Sequence, residues 1–180
     1  MKKVGLIVGS LRKDSWNRKV AEVVKELLPE TVEAEFIDIS KVPLYNTDLD
    51  GTEPAYTEVR KEIAKYDGYM FFVPEYNRSY APAAKNVIDV GSTNPEGNLW
   101  AGKPAAVFSA SMGGFGGMAA NHALRQVFTF VDLIPMQQPE VYLSKIQEFF
   151  DEEGNMVEGT KSFLKGAAEA FVAHMDRLDK

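Results

Sequence analysis

Val4-Gly5-Leu6-Ile7-Val8-Gly9-Ser10-Leu11-Arg12-Lys13-Asp14-Ser15-Trp16-Asn17 joins an apolar run to a polar turn and then to an amphipathic segment that begins near Asn17. The run Val4 to Val8 lacks polar alternation, as expected for a strand buried on both faces of a parallel sheet. Beyond the turn, Val20, Val23, Val24, Leu27 and Leu28 recur at helical spacing until Pro29 ends the segment. A strand that enters a helix through glycine, hydroxyls and arginine aims unpaired main-chain N–H groups and the positive end of a helix dipole at one small space. That space suits a phosphate. Ser10, Ser15 and Asn17 add short donors, and Arg12 adds a planar fork able to hold two phosphate oxygens. The same residues also read as an ordinary helix start, with Ser15 or Asn17 as the cap and Arg12 in solvent.

Working outward, strand and helix alternate. Ala34 to Ile39 reads as a second, more polar strand suited to a sheet edge, and a loop from Val42 to Pro54 follows, carrying Tyr45 toward the same end of the sheet. Tyr56 to Lys65 is expected to be a short helix, Tyr69 to Val73 a buried strand, and Ala83 to Val90 a helix. Irregular chain with Trp100 as an anchor is expected over 91–102. Pro104 to Ala110 reads as the fourth strand and Met118 to Phe130 as a helix. Ile134 to Leu143 supplies a fifth strand interrupted by Pro139, and an acidic connector (151–158) leads to a last helix marked by Leu164, Ala167, Ala168, Phe171, Val172, Met175 and Leu178. The pattern predicts a single α/β domain over 1–180, a flavodoxin-like, doubly wound, five-stranded parallel sheet of order 2-1-3-4-5 with helices on both faces.

Composition narrows the function. Of 180 residues, 45% are hydrophobic and 26% charged, and the net charge of −6 removes the electrostatic footprint of a general nucleic-acid binder. There is no cysteine, which excludes disulfides, thiolate metal sites and a cysteine nucleophile. Redox chemistry must then come from a bound cofactor. The only histidines are His122, read as partly packed, and His174, read as a helix-surface residue, so no histidine-rich metal site is expected. The apolar run after Met1-Lys2-Lys3 is too short for a signal peptide or a membrane span, so a cytoplasmic protein without membrane partners is expected.

Three strands end in unusual loops, at Ser10, at Pro74 and at Ser111, and the order 2-1-3-4-5 makes these the three neighbouring central strands. Pro74, Glu75, Tyr76 and Asn77 offer main-chain amides and an amide side chain for a flat heterocycle, with Tyr76 over one face. Ser111-Met112-Gly113-Gly114-Phe115-Gly116-Gly117 lets main chain approach a ring edge. A phosphate at one end and a planar, hydrogen-bonding ring at the other describe a mononucleotide, and flavin mononucleotide (FMN) fits best. Glu75 has no accompanying histidine or second carboxylate, so shaping the loop is its expected role. Asp38 stands where a dinucleotide fold carries its ribose-binding acid, but the G-x-G-x-x-G of that fold is missing. P-loop and G-x-S-x-G signatures are also absent.

At these loops the sequence resembles the NADPH-dependent FMN reductase family of flavodoxin-like quinone, chromate and azo-dye reductases. The resemblance is carried by Gly9-Ser10-Leu11-Arg12 with Ser15 and Asn17, by Pro74-Glu75-Tyr76-Asn77 with Ser79 and Lys85-Asn86-Val87-Ile88-Asp89, and by Trp100-Ala101-Gly102-Lys103-Pro104 with Ser111-Met112-Gly113. It implies bound FMN, its phosphate on Ser10, Arg12, Ser15 and Asn17, its ring lined by Pro74, Glu75, Tyr76 and Asn77 and edged by Ser111, Met112, Gly113 and Gly114. It also implies hydride transfer from NADPH or NADH to flavin N5, then electrons to a small-molecule acceptor such as a quinone, azo compound or free flavin, with no side chain as catalytic acid or base. A homodimer or homotetramer covering the flavin is implied too, with Tyr80, Trp100 and Phe115 as candidates for that contact or, equally, for ordinary core packing. Ala81-Pro82, Ala84 and Val90-Gly91 depart from the family's usual Pro-Gly, leucine and tryptophan. On the residues alone, a flavodoxin-type one-electron carrier and a non-redox nucleotide-binding interaction protein remain alternatives.

Overall fold

In the computed structural model, residues 1–179 are described apart from 94 and 96. β1 (Lys2–Val8) lies between β2 (Val32–Phe36) and β3 (Gly68–Val73), both parallel to it. β6 (Pro104–Ser111) extends the sheet on the far side of β3. The fifth position is shared by β7 (Ile134–Pro135), beside Pro104 and Ala105, and β8 (Val141–Ser144), beside Phe108 to Ser111. The predicted 2-1-3-4-5 order is therefore observed, and its last strand breaks around the cis Gln138–Pro139 bond, where a ladder N–H is missing.

Strand alternation divides the core. Leu6, Val8, Met70, Phe72, Ala106 and Phe108 face α1 (Trp16–Leu27) and α5 (Glu158–Leu178), whose Val20, Val24, Leu164, Ala168 and Phe171 are buried against them. On the other face Ile7, Tyr69, Phe71, Val73 and Val107 meet α2 (Pro54–Ile63), α3 (Pro82–Ser92) and α4 (Met118–Phe130). Each large apolar side chain so buried contributes about 1.5–3 kcal/mol. Ser15 caps α1, its Oγ accepting from Arg18 N at 3.2 Å, while Pro54 and Pro82 begin α2 and α3, where a proline's missing N–H costs nothing.

Several expectations shift. β2 stops at Phe36 rather than Ile39, because Asp38 Oδ1 accepts from Ser40 N at 2.9 Å and turns the chain. The second polar loop contains a two-residue hairpin, β4 (Glu75–Tyr76) with β5 (Ser79–Tyr80), turned through Asn77 and Arg78 at φ 51° and 68°. Strands this short leave no period to read. The expectation for 91–102 lies partly outside the described residues; α3 runs on to Ser92. Trp100, read as an anchor and equally as a contact candidate, is fully buried, which bears out the anchor: its Nε1 donates to Ile88 O at 2.9 Å and its ring meets Tyr69 at 4.8 Å. The histidines exchange roles. His174 is buried with Nε2 2.9 Å from Ile134 O, whereas His122 is exposed beside the Tyr142 hydroxyl, 3.1 Å away. Tyr45 packs beside the N-terminal parts of α2 and α3, its ring 5.8 Å from Tyr56 and its N–H donating to Asn86 Oδ1 at 2.7 Å, and its hydroxyl donates to Asp50, whose carboxyl Arg60 holds below the usual carboxylate range. No described helix is long and apolar enough to cross a membrane.

Candidate functional site

After β1 and β2 the chain crosses to the opposite side of β1, so β1 and β3 flank the reversal of strand order, where open α/β sheets bind ligands beyond their carboxyl ends. A 160 Å³ cleft lies there, lined by Ser10, Arg12, Ser15, Trp16 and Asn17 from the first loop, Pro74, Glu75 and Tyr76 from the second, and Ala110, Ser111 and Met112 from the third. Nine of the twelve residues read from the sequence thus meet in one place. Asn77, Gly113 and Gly114 stand outside this lining. Trp16 and Ala110 were missed: Trp16 reads as ordinary helix, and nothing local in Ala110 marks it.

The cleft residues divide into those the fold has engaged and those it has left open. Asn17 is buried, its Nδ2 donating to Ala110 O at 3.1 Å and its Oδ1 accepting from Ala110 N at 3.2 Å. That pairing locks the first loop to the third strand end. It also corrects the reading of Asn17 as an open side-chain donor, since what faces an anion freely here is main chain. Trp16 and Asn17 begin α1, where N–H groups lack an intrahelical acceptor. Arg12 is exposed and, among the described residues, has no ion-pair partner. Ser15 is buried with its oxygen engaged as the α1 cap.

Glu75 shapes the site, as expected. Its Oε1 accepts from Arg78 Nη1 at 3.0 Å across the hairpin, and its Oε2 accepts from Ala119 N at 3.1 Å in the first turn of α4. A carboxylate at a helix N-terminus meets both an orphan N–H and the positive dipole end. Arg78 also lies 5.0 Å from the Phe115 ring, so the second and third loops are tied twice.

The four glycines of the third loop serve two purposes. Gly116 and Gly117 have φ of 60° and 78°, and an added Cβ would stand 2.7 Å from Tyr142 C or 2.9 Å from Ser109 Cβ. These two are demanded by the packing of the protein itself. A Cβ on Gly114 would meet nothing within 4 Å, and one on Gly113 only Ser111 Oγ at 3.5 Å. Main chain there is open to a ligand.

The donor set suits FMN: an unpaired guanidinium, the Ser10 hydroxyl and helix-start N–H groups for the phosphate, and an open tyrosine and glycine main chain for the ring. The family described as NADPH-dependent FMN reductase matches residues 2–148. The chain belongs to this family. It is similar to a quinone reductase of Pseudomonas putida, 42% identical over 94% of this chain and 92% of that one, and to an NADPH:quinone oxidoreductase of Arabidopsis thaliana, 42% identical over 98% and 93%. The solved structure of FerB, a flavoenzyme NAD(P)H:(acceptor) oxidoreductase from Paracoccus denitrificans, superposes with a TM-score of 0.90 at 35% identity over 98% of both chains. The protein is an NAD(P)H-dependent oxidoreductase with FMN as cofactor, on a flavodoxin-like fold. The carrier and non-redox alternatives give way to this assignment.

Proposed function

We propose that this FMN reductase-family enzyme reduces quinones, taking electrons from NAD(P)H in one cleft at the switch between β1 and β3. The observation that carries the reading is the convergence of all three sequence-read loops on that cleft, in a chain 42% identical to a quinone reductase over nearly its whole length. FMN, when bound, supplies the redox chemistry, accepting hydride from the nucleotide and returning the electrons to the acceptor. The protein supplies position and electrostatics.

Arg12, Ser10, Ser15 and the main-chain N–H groups of Trp16 and Asn17 would hold the phosphate. Pro74, Glu75, Tyr76 and Asn77 would line the ring, and Ser111, Met112, Gly113 and Gly114 its opposite edge. Tyr76 and Met112 are 44% and 57% exposed, which leaves one ring face reachable by donor and acceptor in turn. A single site used alternately needs no second pocket. Leu11, Phe115 and Met118 join them in an exposed apolar rim, which supports a homodimer or homotetramer in which a second subunit narrows the opening. Residues 1–180 form a single FMN-binding domain in this reading, and its setting is the cytoplasm.

The test is anaerobic. The purified protein is loaded with FMN, mixed with NADPH or NADH, and then with p-benzoquinone while flavin absorbance is followed. Bleaching by the nucleotide and recovery on adding quinone are expected. Flavin that bleaches but does not recover with the quinone would overturn the acceptor assignment.

A further inference from the structure

On the other side of the first loop, toward β2, lies a larger groove of 590 Å³. It shares Ser10 and Arg12 with the cleft, so the first loop is the wall between the two. Its remaining polar lining includes Lys13, Arg18, Asp38 and Ser40, none of which touches the cleft or serves the proposed FMN site. We propose that this groove receives the adenosine half of the pyridine-nucleotide donor, Lys13 and Arg18 meeting its phosphates and Asp38 its ribose hydroxyls.

The inference rests on the flavin reading of the neighbouring cleft. The groove adjoins the cleft across Ser10 and Arg12, so a donor whose nicotinamide lies in the cleft and whose pyrophosphate crosses the first loop meets Lys13 and Arg18 on the far side. Arg18 is held ready for such contact. Its Nε donates to Glu22 at 2.8 Å, its guanidinium carbon lies 3.6 Å from the centroid of the Phe36 ring, and among the described residues its Nη groups have no hydrogen-bond partner. A planar cation fixed by stacking and one hydrogen bond loses little freedom when it binds a phosphate. Glu22 is thereby engaged, which leaves Asp38 as the groove's open acid. Asp38 Oδ1 accepts from Ser40 N, and Ser40 together with Lys41 and Arg18 holds the carboxyl below the usual carboxylate range. Ionised at neutral pH, it is an acceptor suited to a vicinal diol. Cations beside the loop and an acceptor beyond them follow the order of groups in the donor, from phosphates to ribose.

The test uses the FMN-loaded full chain, with ADP as the probe of the adenosine half. ADP is expected to bind by calorimetry and to compete with NAD(P)H but not with quinone. The Lys13→Ala/Arg18→Ala double variant is expected to raise KM for the nucleotide about tenfold or more and to weaken ADP equally, an effect on KM rather than kcat. Asp38→Asn is expected to raise KM for NADH, whose adenosine ribose keeps both hydroxyls, and to leave unchanged or lower that for NADPH, whose 2′-phosphate an ionised Asp38 repels. A KM within twofold of wild type in the double variant, or ADP binding that survives it, overturns the proposal. Failure of the flavin reading shows separately, as wild-type protein that does not retain FMN, and ADP calorimetry still probes the groove in that case.

Discussion

The two rims of the sheet use their polar groups in opposite ways. At the rim where the strands begin, Lys3 N donates to Asp67 Oδ2 at 2.8 Å, Lys103 Nζ to Tyr66 O at 2.6 Å and Tyr69 OH to Ile63 O at 2.7 Å, while the Trp100 indole is satisfied by Ile88 O. Burial lowers the Lys103 pKa and raises that of Tyr69, so the fold has taken these groups out of water and matched each one. At the opposite rim, Arg12 is exposed and unpaired among the described residues, Gly114 faces open space, and Tyr76, Met112 and Phe115 stand in solvent. The first rim holds the molecule together. The second is left incomplete by the chain, at the carboxyl ends of parallel strands where such sheets commonly bind ligands.

Four substitutions would sharpen or break that contrast. Trp100→Ala, at the satisfied rim, should lower stability by about 3–5 kcal/mol in urea titrations, since it empties a fully buried site. FMN affinity of the protein that remains folded should hold, and its loss would show that the rims are not separate. Within the open rim, Gly116→Ala should cost about 2–4 kcal/mol, because its Cβ meets Tyr142 main chain at a left-handed φ. Gly114→Ala should stay within about 0.5 kcal/mol by the same thermal or urea measurement and act on flavin binding instead. Equal destabilisation by the two would erase the distinction between engaged and open glycines. Arg12→Ala should weaken FMN binding by about 1–3 kcal/mol in a fluorescence titration with little change in melting temperature. An unchanged FMN affinity would remove Arg12 from the phosphate site.

Much of this was readable from local pattern. The run Val4 to Val8, the helical spacing after Asn17 and the turn residues between them announce strand, loop and helix because each signal lies within a dozen residues. Ser10 and Arg12 were legible as members of the cleft from residue type and position alone. The hairpin at Glu75–Tyr80 escaped because two-residue strands carry no period, and His122 and His174 were interchanged because helical spacing says which residues share a face but not which face is covered. Trp100 was left open for a similar reason: an aromatic in an irregular stretch reads equally as anchor or as contact until its neighbours are known.

By itself the sequence determined the alternation of elements and the three loops that matter, since hydrophobic period and turn chemistry are properties of neighbouring residues. Only the tertiary structure decided how those residues are employed. Asn17 is bound to Ala110, 93 positions away, and Glu75 to Ala119, 44 positions away, so the division between groups engaged by the fold and groups left for a ligand is set by distances that no local pattern encodes. The groove beside β2 has the same origin: Lys13, Arg18 and Asp38 share a wall because β2 pairs with β1, and that pairing is a fact of the sheet.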